Sequence, residues 1–132
     1  MTLPLFVVDT HALFWRGFAP NRLPPTVVQV FRDAEAGRAA IVLLPIVLAE
    51  FYYVLRKEGL EADAPLYLRY VHEASGYRLD ALTWDDILKL PAFPEVPEMH
   101  DRLIAIAAKR LDATVLTRDQ TLQGSPQIRC LW

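Results

Sequence analysis

At 132 residues the chain is long enough for one hydrophobic core. An apolar share of 53% excludes an extended disordered segment, and a net charge of −2 excludes a strongly basic nucleic-acid wrapper. The charge leaves a nuclease open, because carboxylates that hold cations count as negative until the cations arrive. The longest apolar run, AAIVLLPIVLA, is too short for a bilayer span and is broken by Pro45. With no basic flank before the apolar start, and with Cys130 as the one cysteine, the expectation is a cytoplasmic protein without a membrane partner.

A first strand is predicted from Leu3 to Val8, β-branched and aromatic, ending at Asp9. Thr10 to Phe18 reads as a short helix, broken at Ala19–Pro20–Asn21. A second helix opens at Pro25, ends at Gly37 and places Val27, Val30, Phe31 and Ala34 at helical spacing. Ala40 to Leu44 suits a buried strand. A helix follows from Pro45 through Lys57, stopped by Gly59, and another from about Asp63 to Ala74, stopped by Gly76. Tyr77 to Leu82 is the third strand, and Thr83-Trp84-Asp85-Asp86 reads as a helix cap with acids in the first turn. PAFPEVP is a connector. A helix from about Glu98 to Leu111 leads to a strand over Ala113–Thr117, a turn at Asp119 and a last strand near Ile128. Strands alternating with helices predict an α/β domain over 1–132, with a mostly parallel central sheet and helices on both faces. Ligands of such sheets bind beyond the carboxyl ends of the strands, where Asp9 and Asp119 fall.

Most of the sixteen acidic residues read as solvated surface, among them Glu58, Glu61, Asp63, Glu73, Asp85, Asp86 and Glu95. Four stand apart. Asp9 and Asp119 each read equally as a cap or as a ligand. Asp101 lies in the first turn of its helix, where the helix dipole alone would favour an acid. Glu50 sits mid-helix with Ile46, Val47, Tyr53 and Val54 on its face, where a carboxylate needs a partner such as Arg56 or Arg102, a proton, or a more exposed face than the pattern implies.

Two carboxylates past strand ends and two on flanking helices can converge at one edge of the sheet. Their mutual repulsion would be relieved by a hard divalent cation, and an all-oxygen set suits Mg²⁺ or Mn²⁺. His11, His72 and His100 are scattered, so no zinc spacing exists, and neither a phosphate-binding glycine loop nor a nucleophile motif is present. A carboxylate-held cation at that place points to phosphoryl chemistry with one or two ions.

The stretches VVDTHALFW and MHDRLIAIAAKRLDATVLTRD, the helix bearing Glu50 and the overall length resemble the PIN-domain family, and more closely its VapC-type ribonuclease toxins. The resemblance spans essentially the whole chain. It implies a three-layer α/β/α sandwich forming a single PIN-like nuclease domain, a catalytic quartet of Asp9, Glu50, Asp101 and Asp119, and Mg²⁺ or Mn²⁺ held by Asp9, Asp101 and Asp119. Thr117 matches the family's hydroxyl beside the metal-bound water. The implied partners are an RNA substrate, a cognate antitoxin and a second copy of the chain. Many relatives carry a different lead into the third acid; here it is Pro97-Glu98-Met99-His100, so Glu98 is a competing ligand. Arg16, Arg102 and Arg118, with Arg22, lie close to these motifs as candidate RNA contacts or as ordinary surface charge.

Other readings fit less well. A haloacid-dehalogenase-type hydrolase needs a second Asp two positions after Asp9, where His11 stands, and a receiver domain needs paired acids and a late Lys. A catalytically silent binding module, or a housekeeping RNA-processing nuclease without antitoxin, remains compatible with the same residues.

Overall fold

The computed structural model describes residues 2–132. Five short strands, β1 (Leu5–Val8), β2 (Ala40–Leu43), β3 (Tyr77–Leu79), β4 (Thr114–Leu116) and β5 (Arg129–Leu131), make one sheet in the order β3-β2-β1-β4-β5. Every neighbouring pair is parallel. All four residues of β2 are buried, as expected for an inner strand covered on both faces. The helices are α1 (Thr10–Phe18), α2 (Pro25–Glu35), α3 (Pro45–Lys57), α4 (Ala64–Glu73), α5 (Trp84–Leu88), α6 (Met99–Leu111) and α7 (Gln120–Gln123).

Local sequence accounts for most of these boundaries. Proline opens α2 and α3, where its missing N–H is no loss, and Val27, Val30, Phe31 and Ala34 of α2 are all buried. The run Leu103–Ala108 of α6 is buried throughout, and its alanines let the helix approach the sheet closely. Asp112 ends α6 in the left-handed region at φ 52°.

Chain order then fixes the layers. From β1 the chain moves outward to β2 and β3, and it returns past β1 to β4 and β5. Parallel crossovers are right-handed, so α1–α4 cover one face and α5–α7 the other. The direction reverses between β1 and β4, and that switch point is where open α/β sheets place ligands.

Several expectations are corrected. β1 begins at Leu5, two residues late, and β3 ends at Leu79, just before Asp80, whose N–H still donates to the Leu43 carbonyl while its side chain pairs with Arg110. A 3₁₀ turn over Glu61–Asp63 precedes α4, the turn expected at Asp119 is the start of α7, and the last strand lies just beyond Ile128. Asp86, read as surface, is fully buried: it closes a capping box with Thr83 and binds Arg110 Nε at 2.9 Å.

Candidate active site

The end of β1 is locked to β4 by the Asp9 N–H, which donates to the Leu116 carbonyl at 3.1 Å. Asp9 is the N-cap of α1, but an unusual one. Its Oδ1 accepts from the adjacent Thr10 N–H at 2.7 Å rather than from the second or third helical residue. Its Oδ2 accepts from the Thr117 hydroxyl, also at 2.7 Å. Thr117 is 1% exposed and accepts in turn from the Asp119 N–H at 3.0 Å. Asp119 caps α7 through Oδ1, which accepts from the Leu122 N–H at 2.9 Å. Each of the two sheet-end acids is therefore a cap and also lines a cavity.

Glu50 enters from α3. The buried face of that helix is Val47, Phe51 and Leu55, so Glu50 lies beside the core stripe rather than inside it. Tyr53, expected on its apolar face, is 62% exposed. Neither candidate arginine partner reaches Glu50: Arg56 faces Glu61, and Arg102 donates to the Val96 and Leu90 carbonyls. The Thr10 hydroxyl approaches it at 3.4 Å. Asp101 enters from the first turn of α6.

All four acids line one cavity of about 340 Å³ at the carboxyl end of the sheet, with Thr10, His11 and Arg118 between them. The electrostatics record the convergence. Burial, then the charges of Asp9 and Asp119, push the Asp101 carboxyl up to about 7. Burial also raises Glu50; His100 opposes that shift, and the nearby Asp9 and Glu98 reinforce it. Burial, with Asp119 and Asp9, lifts the Cys130 thiol behind the site to about 11, which leaves it a poor nucleophile.

The other expected residues are dispersed. Arg16 pairs with Glu35 at 2.6 Å and stands over the Phe31 ring. Arg102 braces the connector through the two carbonyls named above. Glu98 caps α6, accepting from the Asp101 N–H at 2.8 Å and contacting His100 Nδ1 at 2.5 Å, and it does not line the cavity. Arg118 does line it. Sequence reasoning missed Thr10, whose hydroxyl faces Glu50, although its place directly after the first acid was a usable signal.

Among the described residues, no set of three or more Asp, Glu, His or Cys side chains forms a ready-made metal site. The donor chemistry suits a hard divalent cation all the same: the set is oxygen-only, and burial followed by the charges of its neighbours raises Asp101, a pressure that a cation would relieve.

The family model described as PIN domain matches residues 6–124. No curated protein sequence matches the chain. The fold is shared with solved structures, these two among them. A chain of the VapBC2 complex from Rickettsia felis, bound to a DNA fragment from its promoter, aligns with a TM-score of 0.73 at 17% identity, covering 96% of this chain and 97% of that one. A chain of a toxin-antitoxin complex from Klebsiella pneumoniae aligns with a TM-score of 0.62 at 18% identity, covering 95% and 94%.

Proposed function

The chain belongs to the PIN-domain family, and from that premise we propose that it is a metal-dependent endoribonuclease and the toxin of a toxin–antitoxin pair. The observation that carries the reading is the meeting of Asp9, Glu50, Asp101 and Asp119 in one cavity at the switch point of the sheet. Asp9, Asp101 and Asp119 are the residues to hold Mg²⁺ or Mn²⁺, which when bound supplies Lewis-acid polarisation of a phosphate oxygen and activates water.

The chain's own residues do the positioning. Thr117 fixes the outer oxygen of Asp9 and, through the Asp119 N–H, the spacing between two of the acids. Glu50, whose proton affinity is raised, orients the attacking water and takes up its proton as the phosphodiester is cut in line. The likeness to chains of two toxin-antitoxin complexes supports an antitoxin partner, and the proposal extends to a homodimer acting in the cytoplasm. No helix among the described residues is long and apolar enough to cross a membrane.

The test is incubation of a mixed tRNA and ribosomal RNA pool with Mg²⁺ or Mn²⁺, with EDTA, and with Asp101→Asn. Discrete products that vanish in the last two arms are expected. A second reading, a catalytically silent binding module, predicts a different outcome in the same assay. RNA bound but left intact with either metal would establish it. Co-purification with the product of a small neighbouring reading frame tests the antitoxin, and light scattering the dimer.

A further inference from the structure

The cavity wall is acidic and the proposed substrate is a polyanion, so phosphates need an attraction beside it. Most arginines cannot provide one. Arg16, Arg38, Arg110 and Arg129 are paired with acids, and Arg102 is spent on backbone carbonyls. Arg32, Arg69 and Arg78 are exposed without an ion pair among the described residues, but only Arg22 and Arg118 share an aromatic ring. Both are exposed, and neither has an ion-pair partner among the described residues. Their guanidinium groups stand over the same indole, that of buried Trp15, at 4.7 and 4.6 Å from its centroid. They therefore lie no more than about 9 Å apart.

The indole is itself held, with the Trp132 ring at 5.7 Å and the edge of His11 at 6.2 Å. Stacking on a fixed plate restrains a guanidinium and leaves its N–H edge free for a bidentate acceptor. Arg118 immediately precedes Asp119 and lines the acidic cavity, so the plate adjoins the place where a phosphodiester would sit. A phosphodiester has two non-bridging oxygens that accept from guanidinium forks, and successive phosphates along one strand can each take one.

We propose that Arg22 and Arg118, mounted on Trp15, form a clamp for the backbone phosphates of single-stranded RNA beside the scissile bond. The clamp rests on the nuclease reading and adds to it the site that captures the strand.

The test measures binding of a labelled, mixed-sequence single-stranded RNA to the full chain in EDTA, across a salt series. Arg22→Gln and Arg118→Gln keep a stem and a planar end over Trp15 while removing the charge. Each is expected to weaken binding about tenfold and to flatten the dependence of log affinity on log salt by about 0.7, the double variant by about twice that. Lysine at both positions is expected to restore the slope without the full affinity, and it serves in the same way should a Gln variant fail to fold. With metal present, the variants raise KM and leave kcat in place. An unchanged slope in the double variant, with wild-type binding intact, overturns the clamp alone. A wild-type chain that neither binds nor cuts RNA overturns the nuclease reading and the clamp with it. Poly-glutamate competing as well as RNA of equal charge would overturn the clamp by assigning the pair to an acidic protein.

Discussion

The Thr117 hydroxyl donates to Asp9 Oδ2 across 2.7 Å, joining residues 108 positions apart in the chain. The same oxygen accepts the Asp119 N–H, so one buried hydroxyl sets the relation between the acids that end β1 and follow β4. Thr117→Val keeps the volume and removes both bonds, leaving the half-buried Asp119 N–H and one Asp9 carboxylate edge without these partners. The expected cost is about 1–3 kcal/mol in denaturant unfolding and a fall of about 10–100-fold in RNA cleavage. Thr117→Ser restores most of both. A Val variant that cuts RNA at the wild-type rate would remove Thr117 from the machinery.

Asp101 makes the stability of the metal-free protein depend on pH. Its carboxyl ionises near 7 in the folded chain against an ordinary 3.8. Between those values the folded state keeps a proton that the unfolded state has lost, so stability falls as pH rises from about 4 to 7. Asp101→Asn is expected to flatten that fall and to raise stability at pH 7 by on the order of 1 kcal/mol, once solvent screening is allowed for. That corresponds to about 3–6 °C in Tm. Melting curves in EDTA across this pH range check it, and an unchanged slope in the variant would show that neither burial nor the neighbouring acids raise Asp101.

The order of elements was legible because the inner strands are short and apolar and because proline or glycine marks the ends of α2, α3 and α4. Pro45 and Gly59 bracket α3 in the sequence as they do in the structure. The four cavity acids were legible as well, three by their place at strand ends or in a first turn and Glu50 by its apolar neighbours. What pattern could not give was partner choice across the chain. Arg16 and Arg102 lie beside the motifs in sequence, yet Glu35 and two carbonyls claim them. Asp86 reads as a first-turn surface acid, and nothing local says that Arg110, 24 residues on, will cover it.

That buried pair carries its own expectation. Burial works to raise the Asp86 carboxyl, but the Thr83 backbone and Arg110 outweigh it and hold it below the ordinary range. Arg110 also reaches Asp80, tying the end of β3 and the start of α5 to the last turn of α6. Arg110→Met leaves Asp86 buried without its counter-ion, and the expected loss is about 3 kcal/mol in urea unfolding. Combining it with Asp86→Asn is expected to recover part of the loss. Below the unfolding temperature, RNA cleavage stays near wild type, since Arg110 is remote from the cavity; a selective fall in kcat would contradict that separation.

Glu98 separates a cap from a ligand. Its Oε2 accepts the Asp101 N–H and its Oε1 contacts His100, so both oxygens already serve the start of α6. His100 is raised mainly by that Glu98 contact, and Glu98 in turn adds to the pressure on Asp101. Glu98→Ala is expected to cost about 1 kcal/mol through the lost cap, to lower the pH at which His100 titrates by NMR, and to ease the stability loss of the metal-free protein toward pH 7. Cleavage should persist within a few-fold of wild type. Were Glu98 instead a ligand that displaces Asp101, the Ala variant would lose cleavage as completely as Asp101→Asn and would need far more Mg²⁺ for what remained. The position of the side chain argues for the cap: it lies at the helix end, away from the cavity wall that Asp101 helps to form.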